Sequence, residues 1–271
     1  MKTTTLESLS GKIVCRDSEG TGRTLVLVHG NSASSGAFAK QLDGPLGKKH
    51  RVIAFDLPGH GKSDNASDPA ATYNMPGYAR VLRDVVKQLG VEDAVFAGWS
   101  LGGHIVLEAA PDLPRAKGFA IFGTPPLGFP PAMEQAFLPT PAMAYTFAPD
   151  LNEEQARAYV AAAFRPGVTE LPREMIDDVL RTDGRARAQL AASIGPDGFR
   201  DEVKVIADLK QPLAVLHGAQ EQLINGAYFD TLTMPTLWRG KVQVIDNAGH
   251  LPQWEQPEQF NTLMEAFVSE T

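Results

Sequence analysis

The segment Gly98-Trp99-Ser100-Leu101-Gly102-Gly103 constrains this chain most. An apolar, strand-like run, Ala94 to Ala97, precedes it, and a helix-like run, Leu101 to Ala110, follows. Glycine two residues before and two residues after a serine, between a strand and a helix, marks a turn too sharp for side chains at those flanking positions. The turn presents the serine hydroxyl at a helix N-terminus, where backbone N–H groups and the helix dipole favour negative charge. A chain built this way should supply partners for that hydroxyl further along, in a fixed order.

The rest of the chain fits a sheet wrapped in helices. Residues 3–18 read as two short alternating strands joined at Ser10-Gly11, a hairpin at a sheet edge. Thr24 to Val28, Arg51 to Phe55 and Gly118 to Phe122 are continuous apolar runs, the pattern of parallel strands buried on both faces. Tyr78, Val81, Leu82, Val85, Val86 and Leu89 fall on one helical face, and Gly90 offers a C-cap. The rhythm breaks after Gly123, and nine of the twenty prolines lie between Pro125 and Pro172. Asn152 is placed to cap a helix through Phe164, and Leu171 to Ile194 reads helical with an interruption near Gly184. We read residues 127–205 as an inserted helical cap, with 1–126 and 206–271 forming one α/β core. Strands return at Pro212 to Leu216 and Lys241 to Ile245, and a last amphipathic helix covers Pro257 to Val268. Alternating strands and helices imply a mostly parallel sheet with helices on both faces, and a ligand site at the carboxyl ends of the strands.

A serine needs a base to become a nucleophile. Of the six histidines, His250 lies in a loop just beyond the last strand, preceded by the small residues Ala248 and Gly249. Chain order and strand position make it the base, against the plainer reading of a surface-loop histidine. The base needs a carboxylate to hold its tautomer and steady its cation, in the order serine, acid, histidine. Glu221 is the first carboxylate beyond the strand at 212–216 and is the residue we favour. Asp246, four residues before His250, is the rival and suits an anchor for its own loop. The tetrahedral intermediate requires two N–H donors. One is expected from Leu101 and the other from the backbone of Asn31, with Gly30 allowing close approach. Gly30 and Trp99, beside these groups, are expected to touch substrate.

Other features carry less. Gly61-Lys62-Ser63 resembles the end of a phosphate loop, but Asp56 stands where that loop needs glycine. Asp56 and His60 read as turn residues, and His104 as a packed or hydrogen-bonded histidine. A net charge of −7 argues against nucleic acid and anionic membranes, which need clustered Lys and Arg. One cysteine, Cys15, permits no internal disulfide and no thiolate cluster. Without a His-Glu-x-x-His pattern or a dense ligand cluster, neither a metal nor a cofactor is expected. The N-terminus lacks the apolar core of a signal peptide and no run approaches a membrane span, so the expectation is a cytoplasmic protein acting on a small molecule. Nothing in the sequence separates a monomer from a dimer.

Together these parts resemble the α/β-hydrolase superfamily over nearly the whole chain. Within it, the sequence is similar to the serine-dependent N-acyl-homoserine lactonases of the AidH type. The residues that carry the likeness are His29 to Ser32, Asp56 to Ser63, Gly98 to His104, Gly123-Thr124-Pro125-Pro126, Arg181 to Arg187 and Val244 to His250. The resemblance implies an α/β-hydrolase fold with a cap, and a metal-independent serine hydrolase of esters or lactones. It favours a glutamate as the acid, and it implies that Tyr159 in the cap hydrogen-bonds substrate. The chain departs from that pattern around Gln220 and Leu223, at Leu251 to Trp254 and through much of 130–170, where the pocket is shaped. Phe129, Phe137 and Phe147 in the cap suit an acyl tail as well as a cap core. Two other classes stay open: a general carboxylesterase or C–C bond hydrolase, and a low-turnover ligand receptor on the same fold.

Overall fold

The computed structural model describes residues 1–195 and 198–271. Eight strands form one sheet in the order β1-β2-β4-β3-β5-β6-β7-β8. They are β1 (Lys2–Ser8), β2 (Gly11–Asp17), β3 (Thr24–Val28), β4 (Arg51–Phe55), β5 (Val95–Trp99), β6 (Gly118–Phe122), β7 (Leu213–Gly218) and β8 (Gln243–Ile245). β1 and β2 make the edge hairpin, β2 runs antiparallel to β4, and every other pairing is parallel. The turn at Gly11 has φ 110°, which glycine adopts without strain. β7 extends two residues past the apolar run, and β8 is shorter than its run.

The continuous apolar runs follow from two cores, one on each side of the sheet. Val26 and Val28 face one core while Leu25 and Leu27 face the other. Helix α1 (Met75–Leu89) buries Tyr78, Val81, Leu82, Val85 and Val86 in the first core. Asn74 caps its start, and Gly90 closes it in the left-handed conformation. Helix α2 (Leu101–Ala109) is buried along its whole length. The C-terminal helix, Pro257–Glu270, drives Phe260, Met264, Phe267 and Val268 into the second core.

Between β6 and β7 the chain forms helices α3 (Glu153–Ala163), α4 (Arg173–Arg181) and α5 (Gly184–Ala192), then α6 (Glu202–Asp208). A capping box between Asn152 and Gln155 starts α3. The interruption read near Gly184 is real: Asp183 caps α5, and any side chain at 184 would strike the Pro149 carbonyl. α6 packs against α2. Arg187, buried among these helices, has no carboxylate partner among the described residues. Its guanidinium donates to the carbonyls of Ala148, Pro149 and Val179 and to the Ser32 hydroxyl, tying α5 to the loop after β3. Tyr73 donates to Asp183 at 2.7 Å, a second tie from core to cap. No helix among the described residues is long and apolar enough to cross a membrane.

The register brings three strand ends level. Val28 lies opposite both Phe55 and Gly98, and Trp99 lies opposite Phe122. The loops that begin at 29, 100 and 123 therefore open side by side at the carboxyl edge of the sheet.

Candidate active site

Ser100 follows β5 with φ 53° and ψ −122°, a conformation that costs a non-glycine residue about 1–3 kcal/mol. The surroundings hold it there. Ser100 N–H donates to the Phe122 carbonyl at 2.9 Å, and its own carbonyl accepts from Gly103 N–H at 2.9 Å and Thr124 Oγ1 at 2.8 Å. A side chain at Gly98 would strike the Gly102 carbonyl, and one at Gly102 would strike the Val28 carbonyl. The glycines are there because backbone passes through the space a side chain would need. Leu101 begins α2, so its N–H has no carbonyl one turn back and is free to bind an oxyanion.

The loop after β3, expected to carry the second donor, is held by a traceable set of contacts. His29 Nε2 accepts from Leu57 N–H at 2.9 Å, which puts the ring proton on Nδ1. Nδ1 then donates to the Gly30 carbonyl at 2.8 Å. In a trans peptide the C=O and N–H point opposite ways, so pinning the Gly30 carbonyl aims the Asn31 N–H away from His29. Burial lowers the His29 pKa, in keeping with a neutral ring. Gly30 lets the loop lie against the elbow: a Cβ there would sit 3.1 Å from Ser100 Cβ and from Trp99 Cε3. The Asn31 side chain donates to the Thr146 carbonyl at 2.8 Å, so the cap also grips this loop.

His250 Nδ1 lies 2.8 Å from Glu221 Oε2, and both side chains are almost wholly buried. The other carboxylate oxygen accepts the N–H groups of Gln222 at 3.0 Å and Leu223 at 2.9 Å. Burial pushes the Glu221 pKa up, but His250, the Leu223 N–H and His217 together outweigh it and hold the carboxyl below its ordinary value. Asp246 is exposed. The imidazole stands over Gly123, where a Cβ would come within 2.6 Å of its Cε1. Trp99 Nε1 donates to the His250 carbonyl at 2.7 Å.

Ser100, Leu101, His250, Asn31, Trp99 and Tyr159 line one cavity of about 150 Å³. Its remaining wall is mostly apolar and comes largely from the cap. Phe137 and Phe147 are part of it, whereas Phe129 instead packs on Phe199 with ring centres 4.7 Å apart. The Tyr159 hydroxyl sits 3.4 Å from the Asn31 carbonyl, and burial pushes its pKa up to about 12, so it stays a neutral donor. Ser100 Oγ is not hydrogen-bonded to His250 in this structure; such contacts are often long until a substrate lies between the groups.

A family model described as "Alpha/beta hydrolase family" matches residues 25–263. The chain belongs to the alpha/beta hydrolase family. Among solved structures, this hydrolase is similar to the N-acyl homoserine lactonase AidH complexed with N-butanoyl homoserine, with TM-score 0.94 and 40% identity, covering 99% of this chain and 96% of that one. It is 26% identical over 266 residues to a 2-hydroxy-6-oxononadienedioate/2-hydroxy-6-oxononatrienedioate hydrolase of Paraburkholderia phymatum, covering 93% of this chain and 89% of that protein. It is also 26% identical over 252 residues to the dihydrolipoyllysine-residue acetyltransferase component of the acetoin cleaving system of Cupriavidus necator, of which it spans 63%.

Sequence reasoning passed over several residues that shape the site of this hydrolase. Thr124 was visible as part of Gly123-Thr124-Pro125-Pro126, but nothing local says that its hydroxyl braces the elbow. Glu255 is another. Its buried carboxylate accepts Gly249 N–H at 2.7 Å, beside His250, and pairs with Arg165 beyond α3 at 3.1 Å. It thus joins the histidine loop to the cap. His29 carried a signal, since it precedes the glycine of the oxyanion loop. Asp56 proves structural, accepting Ser35 N–H and Lys62 N–H at 2.7 Å each. His60 is sealed in the core, where burial lowers its pKa to about 3. Among the described residues no three His, Cys, Asp or Glu side chains group to hold a metal ion.

Proposed function

We propose that this hydrolase opens N-acyl-homoserine lactones through an acyl-enzyme on Ser100, an activity that would quench lactone signals between bacteria. The observation that carries the reading is a strained serine and a carboxylate-backed imidazole opening onto one apolar, cap-covered cavity. The likeness to AidH over nearly the full length supports the lactone as substrate.

In this reading His250 Nε2 takes the Ser100 proton as Oγ attacks the lactone carbonyl. Glu221 stabilises the imidazolium without itself being protonated. Leu101 and Asn31 N–H groups hold the oxyanion, a contribution of about 10²–10³ in rate for each donor. Collapse breaks the ring C–O bond, and His250 returns its proton to the leaving alkoxide. The new hydroxyl stays tethered to the acyl group, so ring closure competes with hydrolysis until water, activated by His250, releases the acid. Tyr159 and Trp99 flank the bound substrate, Gly30 does not line the cavity but lies behind them against Ser100 and Trp99, and residues 127–205 act as the cap that receives the acyl chain.

The test is ring opening followed by mass spectrometry across several acyl lengths, with aryl esters and a vinylogous diketone run alongside. Lactones should turn over with the highest kcat/KM; a preference for either other class would replace the reading. Ser100→Ala should lower kcat by about 10⁶. Turnover should survive exhaustive chelation, and a loss that added metal restores would point to different chemistry.

A further inference from the structure

Ser100 is not the only polar residue of this region that faces the cavity. His104 follows four residues later on α2, about 6 Å along the helix and on the same side. It lines the cavity, and its side chain is only 10% exposed. Its Nδ1 lies 2.9 Å from both oxygens of Glu202, a fully buried carboxylate on α6 that also accepts Leu127 N–H at 2.8 Å. An ionised carboxylate can only accept, so a neutral His104 ring carries its proton on Nδ1 and presents a lone pair at Nε2. Among the described residues nothing donates to that nitrogen. Fastening α2 to α6 accounts for Nδ1. It does not account for a second, basic nitrogen left without a partner in a wall made of Leu127, Phe137, Leu190 and Phe199. That nitrogen is not sealed inside the protein but opens on the cavity, so its partner comes from whatever fills that cavity.

We propose that His104 reads the substrate: its Nε2 accepts a hydrogen bond from an N–H on the acyl part, next to the carbonyl that Ser100 attacks. Glu202 is the positioning residue that fixes the ring and its tautomer. An amide N–H on the carbon adjacent to the reacting carbonyl is the donor within reach of both groups. A lactone carrying an α-amide is therefore favoured over one carrying an α-ester of the same length. This deepens the lactonase reading and rests on it.

The experiment compares N-hexanoyl-homoserine lactone with α-hexanoyloxy-γ-butyrolactone, which has oxygen in place of the N–H. The readout is the ratio of their kcat/KM values within each protein, so a general loss from altered packing cancels. The wild type should favour the amide about tenfold, the order of one hydrogen bond. In His104→Leu the ratio should fall to near one. It should fall in Glu202→Gln as well, because a neutral amide fixes the ring and its tautomer less firmly than the carboxylate that now accepts from His104. A wild-type ratio near one, or variants that keep the wild-type ratio, would overturn the assignment. Should His104→Leu not fold, the wild-type and Glu202→Gln ratios decide. Nitrophenyl esters of N-acetylglycine and acetoxyacetic acid repeat the comparison without a lactone. Inert lactones with a tenfold ester ratio would remove the lactonase reading and keep this one, and active lactones with a ratio near one would do the reverse.

Discussion

Replacing Glu221 with glutamine removes one charge and almost no volume. The structure sets what that charge is worth. It lies 2.8 Å from His250 Nδ1, in a position closed to solvent. For unit charges at that separation and an effective dielectric of about 20, the attraction is roughly 6 kcal/mol. The imidazole is neutral in the resting state and cationic in the transition state, so most of this term acts on the barrier. At 1.36 kcal/mol per decade it amounts to about four decades of kcat. The amide adds a second fault. Two backbone N–H groups, from Gln222 and Leu223, already hold one oxygen, so glutamine keeps its carbonyl there and turns its NH₂ toward Nδ1. That pulls the ring proton onto Nε2, and a protonated Nε2 cannot take the serine proton. Initial rates of ring opening in a pH-stat, with KM measured separately, should show kcat lower by about 10⁴ and KM little changed. Asp246→Asn, exposed and remote from the imidazole, should change kcat less than about twofold. A Glu221→Gln enzyme that keeps a tenth of its rate would refute the argument, and a larger loss in Asp246→Asn would reassign the acid.

Further outcomes follow from the same geometry. Gly102→Ala should destabilise the fold by about 1–3 kcal/mol and lower kcat by more than stability explains, because the new Cβ meets the Val28 carbonyl and must shift the loop that carries Asn31; thermal unfolding and kcat measured together check this. Asp178, which accepts from Ser34 at 2.6 Å between cap and core, has its pKa raised from 3.8 to about 6 by burial and by Asp56. The folded protein therefore holds a proton that the unfolded chain has lost between those values, and stability falls as pH rises through that window. Asp178→Asn keeps an acceptor for Ser34 and should unfold at a higher temperature than wild type at pH 7.5, by up to about 3 kcal/mol, with the difference vanishing at pH 4. An equal difference at both pH values would contradict the shift.

How far the site was legible depends on how local each signal is. Ser100 announced itself because the glycines at 98 and 102 and the flanking strand and helix lie within a few residues. The loop proposed to hold the oxyanion was visible for the same reason, as His29-Gly30-Asn31 after a strand. Glu221 and Asp246 were harder to separate, since each is a carboxylate near the end of a strand. Burial and a 2.8 Å contact in one case, and exposure in the other, divide them. The partnership of His104 with Glu202 spans 98 positions, and that of Gly249 with Glu255 depends on how a loop folds over the helix that follows it. No periodicity encodes either.

By itself the order of residues determined the strand runs, the helix faces with their caps at Gly90 and Asn152, and the sharp turn at Ser100. These follow from side-chain period and backbone sterics, which act over a handful of neighbours. The tertiary structure alone decided which carboxylate backs His250, which way the Asn31 N–H points, and that a second imidazole shares the cavity with the serine. Those outcomes depend on desolvation and on hydrogen bonds between segments far apart in the chain, and neither exists until the sheet register has brought the strand ends level.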